Sequence, residues 1–479
     1  MPHQDPAAVP SPQQATRFLL ARMGLPDLPQ AAPALRFMGS DPVVASPNAY
    51  GTATASALAA FGVATCELWR MRTGRRQQLE IDLHRAVSHG LRSVLLLRQN
   101  GHAFGIAGNS RKVNNFFPTR DGRRMYLLRM TDYPSVLARL LGVLRCPNEQ
   151  EALAQAVRQW DGLALEEALA AARAFGVLAR SPEEWRAHPQ GAWLQGRPGF
   201  ELRRIGDSAP EPLRDGTRPL SGLRVLDAAH VIAGPAAARL LAEQGAEVLR
   251  TAAPSQLDPQ PIVIDTGFGK RSAFIDLDRI EDAGQLKRLA AQADVFVESW
   301  RPGAMAKRGF SPSDLAAIRP GIVVVSVSCY GDGGPWRARA GYEPVAQAAC
   351  GLASVEGTPE RPQTAPTVTM NDYLAAYLAA AGAGGARVRR AREGGSWHVS
   401  TSLTQASMWV LAQGRVRLAE GQQVPGLDGP TPPGWMAHTS SCFGELEHAA
   451  PVVQFSDTPG GWDTPPQPFG ASLAEWRTR

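Results

Sequence analysis

From about residue 223 to 328, short apolar runs alternate with segments whose apolar residues recur every third or fourth position. The runs "LRVLDAA", "AEVLRTA", "SAFIDL", "ADVFVES" and "GIVVVSVS" have strand length. Between them, "AAARLLAEQG", "EDAGQLKRLAAQ" and "SPSDLAAIRP" carry helical spacing. Alternation of this kind predicts an α/β fold, a Rossmann-like parallel sheet with helices on its faces. A long Ala-rich helix is expected from about Asp372 to Arg392, followed by a strand in "GGSWHVSTSL".

The region ahead of this pattern reads differently. A long helix is predicted from Thr52 to Arg72, then a strand in "QQLEIDL" and a helix in "HRAVSHGLRSVLLLRQ". A hairpin is expected around Asp121-Gly122 in "FFPTRDGRRMYLLRM". Three amphipathic helices follow ("YPSVLARLLGVL", "NEQEALAQAVRQW", "ALEEALAAARAFG"). A short helix then starts at a capping-box pair, Ser181 and Glu184, and stops at Pro189. The expected organisation is an extension at 1–47, a first segment at 48–200 with a smaller helical/α+β domain at about 120–195, and a linker at 201–218. The sheet domain then occupies 219–410, ahead of a Pro/Gly-rich tail at 411–479.

A repeat links the two regions. With Asp372–Ala406 laid over Thr52–Ala86, Leu378, Ala379 and Ala380 fall on Leu58, Ala59 and Ala60. Gly382 falls on Gly62, Arg390 on Arg70, Arg392 on Arg72, Gly394 on Gly74 and Leu403 on Leu83. A duplicated helix–turn–strand is predicted, with its two copies packed near one another. Thr52 stands opposite Asp372, so the acid is not duplicated.

Charge and motifs narrow the function classes. The net charge of +6 is spread along the chain, and no basic run is interleaved with aromatics, so no nucleic-acid partner is expected. Five scattered cysteines form no CxxC pair, which suits a reducing, cytoplasmic location. No signal peptide or membrane-length apolar run is read. The strand at Leu223–Ala228 is not followed by GxGxxG, and "GFGKRS" lacks the upstream glycine of a P-loop. GxSxG and HExxH are missing too, and the nine histidines show no metal-ligand spacing, so no metal is expected.

What remains is a series of small pieces: "AHVIAGP", "GKRS", "ADVFVESWRPGAMAKRGF", "SVSCYGDGGP", "AGYEPVAQAACG" and "TMNDYLAAY". In this order they resemble the first half of the class III CoA transferases, the family of formyl-CoA and carnitine CoA transferases. Residues about 48–195 resemble that family's second half and 449–479 its extreme C-terminus, so the chain resembles a rearranged member. The resemblance implies coenzyme A, as acyl-CoA, and a carboxylic acid acceptor as partners. It places Asp372 at the family's nucleophilic position. Read locally, Asn371 or Asp372 is equally a helix N-cap, and the helix end favours a negative charge by about 0.3–1 kcal/mol.

Further residues carry over one by one. Val231, Ile232 and Ala233 fall on the loop where the family places CoA and the reacting carbonyl. Lys270 and Arg271 match a site where positive charge meets phosphates, or else form a solvated turn. Ser299, Trp300 and Arg301 fall on the loop lining the CoA channel, where Trp300 packs on CoA or belongs to the core. Lys307 matches a position often basic in the family, and Tyr342 and Glu343 lie on another CoA-proximal loop. Ala252 and Ala253 replace an acid and a CoA-contacting arginine. The histidine of the racemases' "GHD" is missing from Gly341-Tyr342-Glu343. The expected activity is acyl-CoA:carboxylate CoA transfer through an aspartyl-CoA thioester on Asp372. The alternatives are an intramolecular CoA-transferring isomerase, an acyl-CoA epimerase, or a non-catalytic acyl-CoA-binding paralogue. A homodimer is expected, unless the two Ala-rich helices cover each other within one chain.

Overall fold

The computed structural model describes residues 9–477 apart from 29–34, 105–114, 132, 256–257, 368, 418–422 and 425, so the 1–47 extension and the tail lie partly outside the described residues. Its centre is a seven-stranded sheet. The strands in chain order are β1 (Phe200–Gly206), β2 (Arg224–Asp227), β3 (Glu247–Ala252), β4 (Lys270–Phe274), β5 (Val295–Glu298), β6 (Val323–Ser328) and β7 (Ser396–Ser402). Across the sheet the order is β4-β3-β2-β5-β6-β7-β1. The six strands from β2 to β7 are parallel, and β1 runs antiparallel to β7. The chain therefore steps outward from β2 to β4, then returns to β5 and steps the other way. This is the order of doubly wound nucleotide-binding sheets, whose ligands sit outside the carboxyl ends at the point of reversal.

Continuous apolar strands are explained by burial on both faces. Val225, Val295, Val297, Val323 and Val325 point into one core, while Leu226, Phe296 and Val324 point into a second with Leu286, Leu289 and Leu315. Residues 201–206, expected in a linker, instead form most of β1. Its partner β7 would otherwise expose a fully buried strand edge, and Thr401 pairs with Phe200 there.

The larger core also holds α1 (Tyr50–Thr73), α2 (Ala233–Glu243), α3 (Glu343–Cys350), α4 (Met370–Glu393) and α5 (Leu403–Ala412). The repeat is visible in three dimensions. Helices α1 and α4 each run for 24 residues and end at glycines with φ of 74° and 72°. A strand follows each, Leu79–Asp82 and β7, and a helix capped by the Asp82 or the Ser402 side chain follows each strand. Gly62 lies against Leu79 and its counterpart Gly382 against Val399, the aligned strand residue. A Cβ on either glycine would sit 2.7 and 2.5 Å from those side chains. The helices cross where Gly384 faces Ala64, again aligned positions.

The segment predicted as one helix after Leu83 breaks into Leu83–Arg85, a π-turn at Ala86–Gly90 and Ser93–Leu96. The Tyr377 hydroxyl donates to the Gly90 carbonyl at the break. Residues 116–178 form a three-stranded antiparallel sheet (Phe116–Pro118, Arg124–Leu127, Gly176–Leu178). Helices Pro134–Leu144, Gln150–Val157 and Gly162–Ala171 accompany it around a core of their own.

Candidate active site

A cavity of about 630 Å³ opens at the reversal between β2 and β5. Loops after the carboxyl ends of the strands form one wall: Ala229–Ala233 after β2, Ala253 after β3, Ser299–Pro302 after β5 and Cys329 after β6. Tyr133, Val136, Arg139, Arg173 and Phe175 of the small unit form another. The small unit precedes the sheet in the chain by some tens of residues, and the Phe175 ring meets Tyr342 edge-on at 5.0 Å.

The loop after β2 is held in a sparsely populated conformation. Val231 has φ of 61°, a left-handed backbone that a β-branched residue rarely adopts. Its N–H donates to the Asp258 carboxylate at 2.9 Å, and buried Arg250 pairs with the same oxygen at 2.7 Å. The neighbouring His230 stacks on Trp300 with ring centroids 4.5 Å apart, and its N–H donates to Ser299 Oγ at 3.0 Å. The Trp300 indole N–H donates to the Ala228 carbonyl at 2.8 Å. Burial lowers the His230 pKa, so the ring is neutral near pH 7. Strain of this kind persists where surrounding bonds over-determine it. The α2 helix starts immediately afterwards at Ala233 with no side-chain cap, leaving first-turn N–H groups beside the cavity. Gly234 permits this approach, because a Cβ there would lie 2.4 Å from that of Ala229.

Asp372 lies in the first turn of α4 and lines the same cavity at 9% exposure. Burial alone pushes its carboxyl up to about 7. The preference of the helix end for a negative charge is therefore not enough to hold the carboxyl in its usual range. A helix terminus contributes about 0.3–1 kcal/mol, less than one pKa unit's worth, and burial outweighs it.

The structure brings together Val231, Ile232, Ala233, Ser299, Trp300, Arg301, Tyr342 and Asp372 around this cavity. Four other sequence-read positions are placed elsewhere. Lys270 is buried, donating to Asp227 at 2.7 Å and to the Pro235 carbonyl at 2.6 Å. Arg271 bonds Glu247 at 3.0 Å and the Glu475 carbonyl at 2.7 Å. Both residues begin β4, opposite Val248 and Leu249, and so sit at the end of the parallel sheet away from its ligand-binding edge. Lys307 is exposed on the short turn Ala306–Arg308, off the cavity. Glu343 is buried, accepting from Gln347 Nε2 at 2.6 Å and from the Asn371 N–H at 3.1 Å. Its role is to hold the start of α4. Burial, with Asp372 nearby, raises its carboxyl well above the usual range and so favours its neutral form beside Asp372.

Sequence reasoning missed His230, Arg250, Asp258, Arg139, Arg173 and Phe175. Asp258 lies in the aperiodic "SQLDPQ", His230 lies in "AHVIAGP" just ahead of the residues that the resemblance singles out, and the others belong to patterns that read as ordinary strand or helix. A second, smaller cavity of about 80 Å³ adjoins the first and shares Thr251, Ala252, Ala253, Ser255 and Trp300 with it. Ala252 and Ala253 thus border an open slot, completed by Leu277 and Met305.

Fold and site together define an α/β protein with a ligand cavity at the sheet reversal and a buried carboxylate facing it. Residues 220–443 match the model of CoA-transferase family III. The chain is 30% identical over 327 residues to an acetyl-coenzyme A transferase of Hypoxylon pulicicidum, covering 62% of this chain and 54% of that protein. It is 34% identical over 192 residues to a succinyl-CoA–D-citramalate CoA-transferase of Chloroflexus aurantiacus, covering 37% and 47%. A mouse succinyl-CoA:glutarate CoA-transferase is 30% identical over 242 residues, covering 47% and 56%. The chain spans about half the length of the curated relatives it matches. The matched stretch, which carries β2 to β7, the loops after their carboxyl ends and Asp372, belongs to the class III CoA transferase family, while β1 and the small-unit wall of the cavity lie outside it. Among the described residues no helix is long and apolar enough to cross a membrane.

Proposed function

We propose that the protein is an acyl-CoA:carboxylate CoA transferase with Asp372 as nucleophile. The observation that carries this is the Asp372 carboxylate, set in a helix's first turn on the cavity at the β2/β5 reversal. The ionised carboxylate attacks the thioester carbonyl of an acyl-CoA, and CoA thiolate leaves, giving a mixed anhydride. Thiolate returns to the aspartyl carbonyl and releases the donor carboxylate, leaving an aspartyl-CoA thioester. The acceptor carboxylate attacks that thioester, and a second return of thiolate, to the acceptor's carbonyl, frees Asp372. Each step exchanges one activated acyl bond for another, so no ATP is consumed.

The remaining groups fit this sequence. First-turn N–H groups of α2, with no side-chain cap, face developing oxyanions. The slot beside Ala252 and Ala253 takes the flat adenine. Arg301 and, across the cavity, Arg139 and Arg173 supply positive charge for CoA phosphates. The wall from the small unit shuts water from the thioester. A cytoplasmic location belongs to this reading too. The two Ala-rich helices ask for no second copy, since α1 and α4 bury each other within one chain. Light scattering, reading the mass of one chain or of two, decides the assembly.

Mass spectrometry after incubation with a panel of acyl-CoAs tests the mechanism. A CoA adduct on the wild type that is lost in Asp372→Asn supports it. Turnover by Asp372→Asn at wild-type rate refutes it.

A further inference from the structure

The two crossing helices carry similar residues along the repeat, with one reversal of charge. Because α1 and α4 cross at aligned positions, residues beyond the crossing face one another in the same way on both sides. On one side Glu67 is bonded by Arg70 of its own helix at 2.8 Å and by Arg392 of the other helix. The aligned residues on the other side are Arg387, Arg390 and Arg72. An acid between two guanidinium groups has become a third guanidinium.

Among the described residues the nearby acids are engaged by other groups, apart from exposed Asp215, which offsets the charge of Arg72 in part. Arg387 is 6% exposed, and its Nε and Nη1 have no hydrogen-bond partner, like Nε of Arg72 and Nε and Nη1 of Arg390. Glu211 is engaged by Arg319 and Arg390. Asp294 is engaged by Arg390 at 3.0 Å, by Arg319 and by the Arg224 N–H at 3.0 Å. The remaining nitrogens of Arg72 go to the carbonyls of Arg214, Pro219 and Ser221. Asp294 offsets the charge of Arg387 in part, while Arg319 and Arg214 add to it. A cavity of about 20 Å³ lies at this point, lined by Arg72, Arg214 and Arg387 and also by Glu211 and Asp294, whose carboxylates are the ones already engaged by Arg319 and Arg390. Water there would satisfy an N–H but leave the charge uncompensated, and a buried charge without a partner is strongly unfavourable.

We propose that this cavity binds a halide-sized monovalent anion, held by Arg387 and Arg72 where the Glu67 carboxylate stands on the other side of the crossing. The anion ties the 211–223 segment to the helix pair, at the end of the sheet away from the catalytic cavity. It acts on stability, and its presence does not depend on what the larger cavity does.

Two measurements test this. In wild-type crystals soaked in bromide, an anomalous peak in contact with Arg387 and Arg72 is expected. Water alone at that position overturns the proposal. In solution, the thermal midpoint of the wild type is expected to be higher in sodium chloride than in sodium gluconate at equal ionic strength, by about 2 °C or more. R387M should lose that difference. R387E, which supplies its own carboxylate, should lose it while matching in gluconate the wild type in chloride. Equal wild-type midpoints in the two salts, or a difference that R387M retains, refutes the site. Should R387M fail to fold, the bromide map and the wild-type salt comparison still decide.

Discussion

Replacing Asp372 by Asn separates catalysis from stability, and the two effects have opposite signs. Burial raises this carboxyl from 3.8 to about 7, so ionising it in the folded protein is costly. Below pH 3.8 the side chain is protonated in both folded and unfolded chains and costs nothing. As pH rises from there to about 7, the unfolded chain ionises first, and stability falls throughout that window. Above it the full difference applies, about 4 kcal/mol at 1.36 kcal/mol per pKa unit. Water in the open cavity reduces this, so a measured gain of about 1–3 kcal/mol is expected for the neutral amide. Asp372→Asn should therefore be inactive yet more stable than the wild type at pH 8. The advantage should shrink towards zero near pH 4. Denaturant melts of both proteins across that range check it, and Glu243 and Glu298 titrate in both and cancel. A variant that is less stable than the wild type at pH 8, or a gain that does not change with pH, would refute the burial argument.

The same carboxyl sets the rate profile: kcat/KM should fall about tenfold per pH unit below 7, and a flat profile down to pH 5 would exclude Asp372 as the ionised nucleophile. Lys270→Met should destabilise the fold by about 3–5 kcal/mol, because Asp227 is left buried without its partner. A stable variant with only a raised KM for acyl-CoA would restore the phosphate role. Gly382→Ala places a Cβ 2.5 Å from Val399 and should cost about 1–3 kcal/mol in thermal or denaturant melts. Ala253→Leu should fill the slot beside Trp300 and raise KM for CoA esters several-fold at unchanged stability, read from initial rates and a melt.

Local sequence determined the parts whose physics is local. Strand runs such as "GIVVVSVS" and the Ala-rich helices declared themselves because a sheet buried on both faces and a helix buried all round leave unbroken apolar patterns. The duplication was legible because α1 and α4, with their capping glycines, preserve residue identities at aligned positions. The position of Asp372 followed from a motif. Its pKa did not, since that depends on which surfaces close over it. Only the tertiary structure turned Lys270 and Arg271 inward or sideways, because the direction of a parallel strand decides which end meets a ligand. Only it drew Glu343 beneath α4, and joined Arg139 and Phe175 to a wall facing Arg301 across more than a hundred residues of chain. Contacts between elements distant in sequence leave no periodicity to read. Buried Arg387, with Nε and Nη1 lacking hydrogen-bond partners, shows the same limit, for an arginine on a helix resembles any solvated arginine until the partner helix is laid across it.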